Sequence, residues 1–167
     1  VVGDLANTLW ELNERAGEIT ENTGEYARKH RERILADMHE FDDSTACPFK
    51  PQKILHDVRA VLGDRDILIS DVGAHKIWTA RMYVVHEPNT CIISNGFASM
   101  GIALPGGIAA SLACPDRRVL TISGDGAFMM NVQELETAVR LGVPTVNMVW
   151  TDGTYGLIEW HQEKKFG

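Results

Sequence analysis

The chain has 167 residues, of which 44% are hydrophobic and 23% are charged, a composition typical of a globular protein with a core of ordinary size. Its formal net charge of −7 argues against nucleic acid and anionic membrane surfaces as general partners, since both attract positively charged proteins. No apolar run approaches the ~20 residues that cross a bilayer, so we expect neither a membrane nor a nucleic-acid function.

The cysteines and the first residues indicate the compartment. Cys47, Cys91 and Cys114 are odd in number, widely spaced and free of any CxxC pattern, which suggests neither a disulfide framework nor a zinc site. The first residues lack the basic start and cleavage pattern of a signal peptide, so we expect a cytoplasmic protein. The chain begins without Met, in a stretch with a helical pattern, and we expect it to be a fragment.

The first part of the chain is predicted to be helical. Leu5, Leu9 and Leu12 form the apolar stripe of one helix, and the densely charged run 24–41 predicts a second. Acidic, small and proline residues then come together at 41–51, a composition typical of a domain boundary. We therefore divide the chain into a helical segment, residues 1–45, and a domain, residues 46–167.

Strands and helices alternate after this boundary. Apolar residues at helical spacing predict helices over 51–64, 74–83, 98–114, 131–142 and 155–165. Short apolar runs predict strands over 66–71, 90–94, 117–125 and 144–152. Because the strands are apolar on both faces, we predict an α/β fold in which helices flank a parallel sheet on both faces.

Three aspartates follow predicted strands: Asp71, Asp125 and Asp152. The carboxyl ends of parallel strands meet at the edge of the sheet where ligands bind, and a right-handed crossover brings Asp125 and Asp152 to adjacent strand ends. Two carboxylates, completed by waters and a phosphate, suit Mg²⁺. Asp71 is interpreted instead as a cap of the helix that begins near Ala74.

Two glycines flank Asp125 in the sequence Gly124-Asp125-Gly126. They allow the backbone to close around a diphosphate, and the N–H groups of Gly126 and Ala127, at the start of a helix, can donate to it. The alternative is an ordinary tight turn, in which glycine and aspartate are common.

Longer stretches resemble a known family. Gly-Asp-Gly followed by an aspartate that closes a strand resembles the thiamine-diphosphate signature, and residues 71–83, 94–110 and 124–139 are similar to acetolactate synthases. Residues 149–167 resemble the catabolic form more than the biosynthetic, flavin-containing form. The resemblance implies a thiamine-diphosphate-binding fold for the domain, the end of a preceding central domain for the helical segment, and thiamine diphosphate and Mg²⁺ as cofactors.

The resemblance also implies roles for individual residues. Asp125, Asp152 and the backbone carbonyl of Thr154 would bind Mg²⁺, Met100 would support the bent cofactor, and the Ala98 carbonyl would hold its amino group. Lys76 is an alternative cation for the diphosphate, and Glu159 and Trp160 fall where the family lines its substrate pocket. The implied cofactor-binding set is Gly73, Ala74, His75, Ala98, Met100, Gly124, Asp125, Gly126, Ala127, Asp152, Thr154 and Tyr155.

Without the resemblance, several of these residues have structural interpretations. Met100 in a helix of small residues is typical of core packing, and a histidine such as His75 near a helix start is typical of the surface. We interpret Met129, Met130 and Trp150 as core residues.

The implied function is the condensation of two pyruvate molecules to acetolactate and CO2 by a full-length transferase or lyase of the branched-chain amino acid or acetoin pathway. The full-length enzyme is expected to be a homodimer or homotetramer, in which the pyrimidine-binding domain of another subunit completes the site. The glutamate that activates the cofactor would lie in an N-terminal domain, so no catalytic residue is assigned here, and the isolated chain is expected to be inactive.

Other functions stay open. A pyruvate oxidase, a glyoxylate carboligase or a 2-keto acid decarboxylase would keep the same metal ligands, and a non-catalytic module would keep the fold alone. A nucleotide-binding Rossmann domain is disfavoured because the GxGxxG spacing is missing.

Overall fold

The structure is a computed structural model that describes residues 3–16 and 24–167. The chain forms two compact units, Val1–Asp37 and Met38–Gly167. The first unit contains helix α1 (Leu5–Ala16) and most of α2 (Gly24–His39), neither of which has a buried residue. Both helices were predicted, although residues 17–23 of that prediction lie outside the described residues. The second unit begins before residue 46 because Met38 packs against the core around Leu55.

The second unit alternates helices and strands, in agreement with the predicted α/β class. Its helices are α3 (Pro51–Val61), α4 (Ala74–Met82), α5 (Ala103–Ala113), α6 (Asp125–Met130), α7 (Glu134–Leu141) and α8 (Gly156–Phe166). Its strands are β1 (Ile67–Ser70), β2 (Cys91–Ile93), β3 (Val119–Gly124) and β4 (Val146–Trp150). Among the described residues, no helix has the length and apolar character needed to cross a membrane.

The four strands form one parallel sheet in the order β2-β1-β3-β4. The chain proceeds from β1 to β2 on one side and then returns to place β3 on the other side of β1. A crevice therefore opens beyond the carboxyl ends of β1 and β3, the place where open parallel sheets bind ligands.

Helices cover both faces of this sheet. On one face Leu68, Leu120 and Ile122 pack against Leu55 and Val58 of α3. On the other face the alternate strand residues Ile67, Ile69 and Val119 pack against Ala103 of α5, and α7 contacts the outer side of α5 through Ala138. Alternation along each strand thus fills two cores, as expected for strands buried on both sides.

Helix α5 lies very close to the sheet. A Cβ atom on Gly107 would lie 2.5 Å from the Cγ2 atom of Thr121 in β3, so the small residues of α5 permit this contact. The helix is shorter than predicted, because residues 98–102 form a turn instead of its first coil. Ala98 has φ of 50° and Gly101 has φ of 88°, values that a right-handed helix does not allow.

The interpretation of Met129 and Met130 as core residues is wrong. Their side chains are 66% and 48% exposed, because α6 is one short helix whose buried residue is Ala127. Trp150, in contrast, is half-buried and packs against the core beside α3.

Candidate functional site

A cavity of about 760 Å³ lies at the carboxyl ends of β1, β3 and β4, a volume typical of small-molecule sites. The structure brings every residue of the predicted cofactor set to this cavity. Its lining includes Gly73, Ala74, His75, Ala98, Met100, Gly124, Asp125, Gly126, Ala127, Asp152, Thr154 and Tyr155.

Asp125 and Asp152 stand at adjacent strand ends. Gly124 of β3 pairs with Trp150 of β4, so the residues that follow the two strands are neighbours. Asp125 accepts hydrogen bonds from the Gly126 N–H at 2.7 Å and the Gly153 N–H at 3.2 Å. Asp125 therefore joins the start of α6 to the loop after β4.

The Asp152 side chain is more open. It accepts a hydrogen bond from the Thr154 N–H at 3.1 Å through Oδ1, and its Oδ2 atom lies 2.8 Å from the position of a Cβ atom on Gly156. Within residues 3–16 and 24–167, no Lys or Arg side chain pairs with Asp125 or Asp152. Carboxylate oxygens that only backbone N–H groups contact fit a hard, oxygen-preferring cation.

Gly126 lies beneath the ring of Tyr155. A Cβ atom at Gly126 would clash with the Cε1 atom of Tyr155, so glycine is required while the ring keeps this position. The Gly126 N–H that was expected to meet a diphosphate donates here to Asp125.

His75 is buried at the start of α4. Its side chain is 5% exposed, so the expectation of a surface histidine is wrong. Burial lowers the pKa of His75, outweighing Asp71 and Asp152, which raise it; the imidazole is therefore neutral near pH 7. Its Nε2 atom has no hydrogen-bond partner, as is true of Nε1 of Trp150, whose ring centroid is 6.3 Å away. These two unpartnered polar groups belong to residues that line the cavity.

Asp71 contradicts its prediction. The residue that precedes α4 is Gly73, and no side chain caps that helix. Asp71 is fully buried and accepts hydrogen bonds from the N–H groups of Val72 at 2.7 Å, Gly101 at 2.9 Å and Ala103 at 2.9 Å. Asp71 therefore fixes the turn before α5. The sequence does not reveal this role, because Gly101 and Ala103 lie 30 and 32 residues after Asp71.

That turn carries Ala98 and Met100 into the cavity lining. Ala98 adopts φ of 50°, a left-handed conformation that costs roughly 1 kcal/mol for a residue with a Cβ atom. Asn131 supports the turn from the other side, because its Nδ2 atom donates to the Gly101 carbonyl at 2.8 Å.

Three residues that the sequence analysis placed near the ligand do not line the cavity. Lys76 donates to the Ser94 carbonyl at 2.8 Å and is absent from the described lining, as are Glu159 and Trp160. Their neighbours Leu157 and Ile158 line it instead.

The sequence analysis also missed three residues of the cavity lining. Cys47, Pro48 and Phe49 line the cavity, although we interpreted residues 41–51 only as a domain boundary and assigned no ligand-binding role to them. The apolar Phe49 between two prolines was the available signal.

A cavity at the carboxyl edge of a parallel sheet, with two carboxylates from adjacent strands, defines an α/β protein that binds a small ligand at its strand ends. Residues 71–167 match the family model of the thiamine pyrophosphate enzymes, C-terminal TPP binding domain. The chain belongs to this family. The matched domain supports thiamine diphosphate as the cofactor.

Curated relatives point in the same direction. The chain is 36% identical over 174 residues to an acetolactate synthase of Bacillus subtilis, and 37% identical over 175 residues to a catabolic acetolactate synthase of Raoultella terrigena. Each match covers 99% of this chain and 30% of the relative. The large subunit of acetolactate synthase isozyme 1 of Escherichia coli is 38% identical over 71% of this chain. The chain thus spans about 30% of the length of the first two relatives.

Proposed function

We propose that this chain is the diphosphate-binding part of an acetolactate synthase, a cytoplasmic enzyme that condenses two pyruvate molecules to acetolactate and CO2. Residues 46–167 form the cofactor domain in this proposal. The observation that carries it is the pair Asp125 and Asp152, which extend from adjacent strand ends into one cavity without a cationic partner among the described residues. The similarity of 149–167 to the catabolic form favours that form.

The proposed Mg²⁺ ligands are the carboxylates of Asp125 and Asp152 and the backbone carbonyl of Thr154. Their chemistry fits, because Mg²⁺ binds to few carboxylates and completes its shell with waters and phosphate oxygens. The contacts that now fill these carboxylates come from the N–H groups of Gly126, Gly153 and Thr154, which a phosphate could also accept.

The proposed diphosphate contacts come from two loops. One holds Gly73, Ala74 and His75 after β1, and the other holds Gly124, Gly126 and Ala127 after β3. The Nε2 atom of the neutral His75 is buried and unpartnered, and because the other ring nitrogen donates its proton to the Asp71 backbone carbonyl, Nε2 can accept a hydrogen bond from an N–H or O–H group of a ligand. Binding would thus satisfy a polar atom whose burial otherwise costs free energy.

Met100 and Ala98 are proposed to orient the rest of the cofactor. The left-handed Ala98 is held by a turn that Asp71 fixes on one side and Asn131 on the other, so the turn is organised before any ligand binds. When bound, thiamine diphosphate supplies the electron sink for the carbanion that loss of CO2 leaves. The activating glutamate is proposed to come from the pyrimidine-binding domain of another subunit, in a homodimer or homotetramer.

The test uses the intact enzyme that contains this chain. Asp125→Asn and Asp152→Asn should each weaken Mg²⁺-dependent binding of thiamine diphosphate at least tenfold in calorimetry and lower acetolactate formation to a similar extent. Asp57→Asn, at an exposed position, is the matched control and should leave both unchanged. Undiminished cofactor binding in both site variants would contradict the assigned ligands.

Product analysis separates the related activities. Pyruvate should yield acetolactate and CO2, whereas acetaldehyde, acetyl phosphate, or carboligation of glyoxylate would identify the decarboxylase, oxidase or glyoxylate carboligase instead. The isolated 167-residue chain should turn over no pyruvate. A complete lack of cofactor binding by the intact protein would indicate the non-catalytic module.

A further inference from the structure

A second cluster of metal-binding side chains lies outside the cavity. It joins His39, the last residue of α2, and Asp42, in the following turn, to His56 of α3. One ligand atom from each residue lies within 4.8 Å of the other two. None of the three lines the candidate cofactor cavity, so their proximity serves no purpose in the proposed function.

The two imidazoles converge on one carboxylate oxygen. The Nδ1 atom of His39 lies 2.6 Å from Oδ2 of Asp42, and the Nε2 atom of His56 lies 3.4 Å from the same oxygen. Ligands of a tetrahedral Zn²⁺ with bonds near 2.0–2.1 Å are separated by about 3.4 Å. The His56 distance matches this spacing, and the His39 distance reaches it by a movement of less than about 1 Å.

Two buried polar atoms of the cluster have no hydrogen-bond partner: Oδ1 of Asp42 and Nδ1 of His56. Buried polar groups are nearly always satisfied, so each such atom requires an explanation. The Nδ1 atom of His56 lies 3.5 Å from Oδ1 of Asp57, so a small shift of His56 toward a metal-binding orientation would let it donate there. A histidine that donates one ring N–H to a carboxylate while its other nitrogen faces the ligand site is the usual outer arrangement of a metal-binding histidine.

We propose that His39, Asp42 and His56 form a binding site for a divalent transition-metal ion, with Zn²⁺ as the best match. Imidazole and carboxylate ligands suit Zn²⁺, Co²⁺ and Ni²⁺, whereas Mg²⁺ selects oxygen ligands alone. Water would complete the coordination. The site is independent of the proposed cofactor site, which offers only oxygen ligands to its metal.

The consequence is a link between residues 39–42 and helix α3. The adjacent Met38 packs against the core that contains Leu55 of α3, so the metal would join two segments that already contact each other. A ligand that binds only the folded chain raises its stability by mass action. Zn²⁺ should therefore raise the thermal unfolding temperature of this chain.

The test uses the 167-residue chain, with Zn²⁺ in thermal unfolding and Co²⁺ in absorption titrations. At a hundredfold excess over its dissociation constant, Zn²⁺ should raise Tm by about 5 °C or more. Bound Co²⁺ should show d–d bands of a four- or five-coordinate site without the thiolate charge-transfer band that Cys47, Cys91 or Cys114 would produce.

Substitutions identify the ligands. Asp42→Asn and His56→Gln should each weaken Co²⁺ binding at least tenfold, while His86→Gln, at an exposed histidine, should bind as the wild type does. Asp125→Asn should also retain Co²⁺ binding, which separates this site from the proposed cofactor metal. Circular dichroism of the metal-free variants checks that each one folds, and the Asn variant keeps the shape of the side chain it replaces.

Unchanged Co²⁺ affinity in both Asp42→Asn and His56→Gln would overturn the proposal, as would a thiolate band that accounts for all the bound metal. An unchanged Tm across a Zn²⁺ titration of the wild-type chain would also overturn it. That result would mean the cluster is an ordinary histidine–aspartate contact.

Discussion

Aspartates follow three strands at the edge of the sheet that lines the cavity, and they differ in burial and in the number of hydrogen bonds that they accept. Asp71, after β1, is fully buried and accepts hydrogen bonds from three backbone N–H groups. Asp125 and Asp152, after β3 and β4, are partly or fully exposed and accept one or two each. All three follow an apolar strand in the same sheet.

The difference arises from the segments that pack beside each strand end. The turn at 98–102 and the start of α5 cover the end of β1 and direct the N–H groups of Gly101 and Ala103 at Asp71. That carboxyl group therefore has little capacity left for a ligand. No such segment covers Asp152 among the described residues, and Asp152 lines the cavity. Asp71, which stabilises the fold, thus accepts hydrogen bonds from three backbone N–H groups. Asp152 accepts one and keeps the capacity to bind a metal ion.

The largest effect is expected at Asp71. Asp71→Asn should lower the free energy of unfolding by about 3 kcal/mol, because one oxygen becomes an NH2 group that faces the N–H of Ala103 or Gly101 and leaves a buried donor unsatisfied. Urea denaturation of the ligand-free chain measures this loss. Asp116→Asn, at an exposed position, is the control and should stay within about 0.5 kcal/mol of wild type. If Asp71→Asn lowered the free energy of unfolding no more than Asp116→Asn does, the buried Asp71 would not differ in role from an exposed aspartate.

A smaller loss is expected when the turn itself is changed. Gly101→Ala should cost about 2 kcal/mol, because φ is +88° and the new Cβ atom would lie 2.8 Å from Nδ2 of Asn131. Gly142→Ala is the matched control, since it shares a positive φ of 62° but has open space around the new atom. It should cost about 1 kcal/mol. Equal losses in denaturant titrations would show that crowding around Gly101 is unimportant.

The sequence predicts the sheet well and the turn at its edge poorly. The four strands are recognisable because each is a short apolar run, and the adjacency of β3 and β4 follows from one crossover. The role of Asp71 depends on N–H groups 30 and 32 residues away, which no local pattern encodes. The left-handed conformation of Ala98 is equally hard to predict, because alanine, unlike glycine or asparagine, is not enriched in that conformation.

The candidate site was also predicted only in part from the sequence. The family resemblance identified residues that do line one cavity, whereas single-residue reasoning placed His75 on the surface and Met129 and Met130 in the core. Met129 and Met130 lie on α6, a helix of six residues, which is too short for its apolar periodicity to show which face is buried. His75 lies on α4, and its burial depends on contacts with residues distant in sequence, such as Trp150.

The burial of His75 predicts how the stability of the folded chain depends on pH. Burial lowers its pKa below the ordinary value of 6.5, so the unfolded chain binds a proton more readily than the folded chain as the pH falls. The contribution of the neutral imidazole is present above pH 6.5 and is lost as the pH falls toward the folded-state pKa. Stability of the wild-type chain should therefore decline below pH 6.5 more steeply than that of His75→Gln. His86→Gln should follow the wild-type slope, and a His75→Gln profile parallel to wild type would contradict the assignment.

The smallest change in stability is expected at Asp152. Asp152→Asn should alter the free energy of unfolding of the ligand-free chain by no more than about 0.5 kcal/mol, since the side chain is exposed and the amide oxygen can still accept the Thr154 N–H. The change should favour the folded state, because neutralising one carboxylate relieves repulsion from Asp125 at the adjacent strand end. Urea titrations of Asp152→Asn beside Asp71→Asn compare the two ends of the edge directly. A loss at Asp152 as large as that at Asp71 would mean that both carboxylates hold the fold, and the distinction between saturated and free aspartates would fail.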